Sequence, residues 1–243
     1  MTMIIAHRGA SRRAPENTIA AFDLALKLGA DAVELDVRSS ADGVLVVHHD
    51  PRLVDGRAII ETRSGDLPPS VPTLNAALDA CGGLVVNVEV KNDPTEIDFD
   101  VNRAAARATA DLLAHRIADG VPPDRFIVSS FDRDAIDMVR RTRPDIPTAL
   151  LVVDPGDVAA LANDLAADGH SALHPHHAFV TREDIDAAHR AGLRVNVWTC
   201  DDVGRLAELI AWDVDGICTN VPDAAIDVRT SVRVARRNDS TAQ

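Results

Sequence analysis

The chain alternates two kinds of hydrophobic pattern from end to end. Short β-rich runs recur at MIIAH (3–7), DAVELDV (31–37), LVVNVEV (84–90), RFIVSS (125–130), PTALLV (147–152), SALH (171–174), RVNVWT (194–199) and DGICT (215–219). Between them lie runs with apolar residues at helical spacing: TIAAFDLALKLG, TLNAALDAC, a long run from about Ile97 to Ala118, DRDAIDMVRRT, DVAALANDLAADG, TREDIDAAHRAG and DDVGRLAELIAW. Several begin with Thr or Asp in a capping position and close on Gly, the usual helix start and stop signals. Strand and helix in strict alternation over 243 residues predict an α/β (β/α)8 barrel, whose customary size is about 250 residues. A doubly wound open sheet is the competing architecture. It lacks support, because no Gly-rich dinucleotide fingerprint follows the first strand.

Two stretches depart from the alternation. ADGVLVVHHDP (41–51) follows the second strand closely, with Asp42-Gly43 as a turn signal, and predicts an extra strand over Val44 to His49 rising above the barrel. The final stretch, RTSVRVARRNDSTAQ, loses periodicity and carries four Arg. We therefore expect one catalytic domain over 1–228 and a flexible tail over 229–243.

Chemistry in such a barrel sits where the strands end at their carboxyl side, and the polar residues gather there. The first strand ends His7-Arg8-Gly9; the second carries Glu34 and Asp36 on one face, since side chains alternate along a strand. In Asn87-Val88-Glu89-Val90-Lys91 the valines alternate with three polar residues. Glu34, Asp36 and Glu89 would meet at the mouth as oxygen donors for a hard divalent cation, Mg2+ or Ca2+. Carboxylate-only ligands disfavour zinc. An ion-pair network with Arg8 and Lys91 is the alternative, although three acids facing two bases leave a negative charge over.

His7 and His49 are the candidate acid and base, because two imidazoles can remove one proton and donate another in one turnover. His48 should face away from His49 and is read as structural. Arg8 and Lys91 suit a phosphate oxygen, or else pair with the acids. Pro15-Glu16-Asn17-Thr18 opens the first helix; Thr18 or Asn17 caps it, Glu16 could orient Arg8, and Asn17 could contact a metal-bound oxygen. His174 could line the mouth, whereas His176 and His177 read as loop residues.

Composition narrows the partners. Aromatics make up 3% with no Tyr, and the net charge is −13, which together argue against nucleic acid. No run reaches the roughly 20 apolar residues of a membrane span, and the amino terminus shows no signal-peptide pattern. Cys81, Cys200 and Cys218 are scattered, and read as small core residues in a reducing compartment. These features predict a cytoplasmic protein with a small-molecule substrate; oligomeric state is not legible.

The order His7-Arg8-Gly9, Pro15-Glu16-Asn17-Thr18, Phe22, Gly29-Ala30-Asp31, Glu34-Leu35-Asp36-Val37, Asp42-Gly43 and His49-Asp50 resembles the signature of glycerophosphodiester phosphodiesterases. Pro72-Thr73-Leu74, Asn87 to Lys91, Ser129-Ser130-Phe131, Gly192-Leu193, Val197-Trp198-Thr199 and Asp215-Gly216-Ile217 continue the pattern across nearly the whole chain. The resemblance implies a TIM barrel and metal-dependent hydrolysis of glycerophosphodiesters to sn-glycerol 3-phosphate and an alcohol. It also implies Glu34, Asp36 and Glu89 as metal ligands, His7 and His49 as the catalytic pair, Arg8 and Lys91 at the phosphate, and Trp198 as a wall of the substrate pocket. A related enzymatic outcome is a lysophospholipase D, or a phospholipase-like activity stopping at a cyclic phosphate on bulkier diesters.

Two departures stand out. Only 22 residues (50–71) separate His49 from Pro72, about half the family's usual insertion, which leaves the mouth open and broadens the conceivable substrates. Asn220 stands where an Asp is common; from its distance along the chain to the inferred ligands, little consequence is expected.

Overall fold

A computed structural model describes residues 1–241. In chain order the elements are β1 (Met3–Ala6), α1 (Ile19–Leu28), β2 (Ala32–Ser39), β3 (Leu45–Val47), α2 (Leu74–Ala80), β4 (Val85–Val90), α3 (Ala104–Ala118), β5 (Phe126–Ser130), α4 (Arg133–Thr142), β6 (Thr148–Val152), α5 (Val158–Ala167), β7 (Ala172–Pro175), α6 (Arg182–Arg190), β8 (Arg194–Val197), α7 (Val203–Ala211), β9 (Gly216–Thr219) and α8 (Pro222–Thr241). All strands except β3 pair in parallel in the order β1-β2-β4-β5-β6-β7-β8-β9, and β9 returns to β1. This is the closed (β/α)8 barrel that the alternation predicts. β3 lies outside it, antiparallel to the far end of β2, with Val37 opposite Val47.

Alternation sets the two faces of the staves. Val33, Leu35, Val37, Val86, Val88 and Val90 are buried outward against the helices. The inward positions hold small apolar residues low in the barrel, among them Ile5, Ala32 and Cys218, and charged ones at the carboxyl end. Register then decides which of them meet: Asp36 lies beside Glu89, and Glu34 beside Asn87.

The structure differs from the sequence reading at two places. The long run expected from Ile97 becomes helical only at Ala104. Asp93 accepts from the Thr95 N–H, and Asp100 from the N–H groups of Asn102 and Ala104, so acidic side chains hold the preceding segment in turns. The expected tail from Arg229 is instead the continuation of α8, helical to Thr241. Ala225, Val228 and Val232 carry an apolar stripe onto the barrel. Arg229 reaches Asp31 and the Thr2 carbonyl, and Arg236 reaches Asp213. Long basic side chains anchor this helix where a hydrophobic period is weak. Residues 242–243 of that tail lie outside the described residues.

The 50–71 segment is short but packed. Leu53 and Ile59 join Val46 in a small core, and two 3-10 turns, Ile59–Glu61 and Ser64–Asp66, complete it.

Candidate active site

Two adjacent parallel staves, β2 and β4, bring the acids together. Oxygen atoms of Glu34, Asp36 and Glu89 all lie within 4.8 Å of one another, and the residues are 3%, 1% and 8% exposed. Burying three carboxylates this closely is unfavourable unless each is compensated. Compensation is uneven. Asp36 receives Arg8 Nε at 3.2 Å, Lys91 Nζ at 3.0 Å and the Asn17 side-chain amide at 2.7 Å. Despite its burial, its carboxyl is therefore held down at about 2. Glu89 takes Lys91 Nζ at 2.5 Å, yet burial still raises its pKa.

Glu34 is the exception. One oxygen accepts from the Arg8 backbone N–H at 2.9 Å, and the other has no hydrogen-bond partner among the described residues. Burial, then the charges of Asp36 and Glu89, push its pKa well above the ordinary carboxylate value. An orphaned oxygen, a surplus negative charge and a set of hard oxygen donors fit a divalent cation better than an ion-pair network.

The loops at the strand ends are tightly held. After β1 the chain turns back on itself, with Arg8 at φ 56° and Gly9 at φ 82°. A Cβ on Gly9 would lie 2.6 Å from Ala21 of α1, so only glycine lets the helix approach here. Arg8 Nη1 contacts Glu16 at 3.0 Å. Asn17, at φ 57°, gives its amide to Asp36 and accepts from the Asp36 N–H at 3.3 Å, and Thr18 caps α1. Both of Asn17's side-chain polar atoms are thus committed to Asp36.

The two histidines flank the acids. His7 Nε2 lies 4.0 Å from Glu34. His7, Glu34 and Glu89 line one cavity with Trp198, and His49, Glu89 and Lys91 line an adjoining pocket with Phe131. His49 Nδ1 pairs with Asp50 at 2.7 Å, which holds the Asp50 carboxyl below its usual range. His48 points elsewhere, with Nδ1 on the Asp50 carbonyl at 2.8 Å. His174 is buried at the barrel centre, where desolvation lowers its pKa to about 3, so it is a neutral acceptor for the Asn196 amide. Trp198 donates to the His174 carbonyl and stacks edge-on with Phe131 and His176.

Two features escape the sequence reading. Asn220, expected to matter little, touches His7: its Oδ1 is 2.7 Å from Nδ1. Asp201 fixes the amide's orientation, because a carboxylate can only accept and so draws Asn220 Nδ2 toward it at 2.8 Å. The oxygen is left facing His7, and Nδ1 must carry the proton. Nε2 is then the bare nitrogen, pointing to Glu34. Burial and the Arg8 charge further lower the pKa of His7, favouring the neutral ring. Chain distance concealed this contact, since β9 is the stave beside β1.

The second is Arg38, 1% exposed. It follows Glu34 and Asp36 in the same alternation, which was the available signal. Its guanidinium contacts Asp98 at 2.6 Å and Glu96 at 2.8 Å, and donates through Nε to the His49 carbonyl at 2.8 Å. It therefore ties the end of the β3 excursion to the loop before α3.

With this geometry in place, comparison with known proteins is decisive. Residues 7–224 match the model of the glycerophosphoryl diester phosphodiesterase family. The chain belongs to that family. A glycerophosphodiester phosphodiesterase of Caldanaerobacter subterraneus is 30% identical, with 93% of this chain and 97% of that protein aligned. Among solved structures, an Oleispira antarctica phosphodiesterase in complex with the product sn-glycerol-3-phosphate superposes with a TM-score of 0.83 at 25% identity, covering 94% and 96% of the two chains. A Silicibacter pomeroyi protein described as a family member gives 0.83 at 27% identity, covering 95% and 94%. Among the described residues no helix is long and apolar enough to cross a membrane.

Proposed function

We propose that the chain hydrolyses glycerophosphodiesters to sn-glycerol 3-phosphate and an alcohol, with Glu34, Asp36 and Glu89 holding Mg2+ or Ca2+. The observation that carries this reading is Glu34: a buried, under-compensated carboxylate 4.0 Å from His7 at the mouth of a barrel of this family. The product held by the Oleispira relative supports the substrate class. When bound, the cation supplies positive charge against the phosphoryl oxygens and acidifies a nearby hydroxyl.

The chain's own residues divide the remaining work. His7 presents a bare Nε2 and acts as the base toward the nucleophile, either water or the substrate's own glycerol hydroxyl. His49, oriented by Asp50, returns a proton to the departing alkoxide. Arg8 and Lys91 bring positive charge to the phosphate, Arg8 steadied by Glu16. Asn17 fixes the rotamer of Asp36. Trp198 forms the wall that the alcohol portion meets. We include a cytoplasmic location in this reading, with which the three free, buried cysteines are compatible.

The test is product analysis on glycerophosphocholine with Mg2+ or Ca2+. Stoichiometric glycerol 3-phosphate and choline are expected, and His7→Ala and His49→Ala should each lower kcat by about 10²–10⁴ with little change in Tm. Failure to hydrolyse this diester or bis(p-nitrophenyl) phosphate with either metal contradicts the proposal. A second reading, action on lysophospholipids, is favoured by the half-exposed Phe131 beside Trp198 and the half-exposed Phe179 beside His176. Release of choline from lysophosphatidylcholine, or a cyclic phosphate product, would identify it.

A further inference from the structure

Of the three cysteines, Cys218 alone faces the candidate site. It is an inward residue of β9, in register with Ile5 on β1, and His7 is the next inward residue beyond Ile5. Glu34 projects from β2 on the other side of β1. The three side chains therefore converge from adjacent staves: donor atoms of His7, Glu34 and Cys218 all lie within 4.8 Å of one another. All three line the same cavity, of about 30 Å³, where a water or an ion needs about 10–15 Å³.

This donor set differs in kind from the three carboxylates beside it. One nitrogen, one sulfur and one oxygen suit a borderline or soft ion such as zinc or cadmium, whereas thiolate is a poor ligand for Mg2+ or Ca2+. Ligand atoms around tetrahedral zinc lie about 3.3–3.8 Å apart, so closure from the observed spacing needs side-chain rotation and no movement of the staves.

Two further observations point to a ligand here. Glu34 and Asn87, both more than nine-tenths buried, each bring an oxygen with no hydrogen-bond partner among the described residues to this cavity. In addition, His7 Nδ1 donates to Asn220 Oδ1, the outer hydrogen bond that orients a histidine for coordination through its other nitrogen.

We propose that His7 Nε2, the Glu34 carboxylate and Cys218 Sγ form a site for a thiophilic divalent ion, zinc by class, and that its occupation inhibits the enzyme. Binding displaces the thiol proton to solvent and occupies the lone pair of His7. The fourth position is left to water or to a substrate oxygen. Glu34 is shared with the proposed hard-cation site, so the ion opposes turnover both by blocking the base and by competing for a ligand. The inhibitory half of this proposal rests on the phosphodiesterase reading; the binding half does not.

The experiment uses the full chain stripped of metal. Cadmium titration of the wild type should develop an ultraviolet thiolate-to-cadmium charge-transfer band that saturates at one ion per chain and is absent in Cys218→Ala. Zinc, added to the enzyme turning over glycerophosphocholine in excess Mg2+, should inhibit. Cys218→Ala should keep zinc-free activity and require at least about tenfold more zinc for half-inhibition, the loss that even an outer-sphere partner's removal causes. Cys218→Val serves the same purpose if the alanine variant fails to fold. A band that persists in these variants, or equal zinc sensitivity in variant and wild type, overturns the proposal. Absence of activity before zinc is added counts against the phosphodiesterase reading alone, while the cadmium band still decides the site.

Discussion

The most informative residue is Glu34, because a buried carboxylate with one unpartnered oxygen opposes stability once it is ionised. A carboxyl whose folded pKa is raised contributes most to stability below its unfolded value and loses that contribution as pH rises through the folded value. At neutral pH without metal it is a liability. Glu34→Gln keeps the acceptor for the Arg8 N–H and removes the charge. It should raise the Tm of the metal-free protein by about 2–4 °C, equivalent to about 1 kcal/mol in a chain of this size, while weakening metal binding. A lower Tm measured by calorimetry would show that Glu34 is already compensated. Asn220 makes a second test. Asn220→Asp would place a carboxylate against His7 Nδ1 and favour the imidazolium, so the acid limb of the kcat/KM profile should move to higher pH. An unmoved limb would remove His7 from the role of base. The ligand candidates were legible as residues because alternation names a face. The Asn220 contact was not, because it depends on which stave closes the barrel against β1.

At the scale of the element, β2 organises the site. One alternating face carries Glu34 and Asp36 and then Arg38, whose guanidinium reaches past the barrel rim to hold the His49 carbonyl. Removing that guanidinium leaves Asp98 and Glu96 facing one another with no base between them. Arg38→Met should therefore destabilise by about 3–5 kcal/mol in urea titration and lower kcat through His49. A change under 1 kcal/mol would mean that the excursion is held by its own small core of Val46, Leu53 and Ile59. The extra strand was readable from Asp42-Gly43 and the alternation after it. The late start of α3 was not, because Asp93 and Asp100 act through local backbone bonds that hydrophobic periodicity does not register. The reach of α8 was hidden by its arginines: Arg229 and Arg236 fasten it by charge to Asp31 and Asp213, where a periodicity argument looks for leucine.

Over the whole molecule, eight parallel staves gather at one end residues spread from His7 to Asn220. The closed order was legible because each strand run was separated by one helix run. The register that sets Asp36 beside Glu89 was not, and the site depends on it. A chain carrying a net charge of −13 buries three of its acids at the carboxyl end of the barrel. Arg8 and Lys91 offset two of them; the third is offset by a proton on Glu34 or, under the proposed function, by a bound cation. The most direct measurement is a calorimetric titration of Mg2+, and separately Ca2+, into metal-stripped wild type and Glu89→Ala. A single saturable site in the wild type, weakened at least about tenfold in the variant, is the predicted result. Identical isotherms for the two proteins, or no binding to the wild type by either ion, would contradict the account.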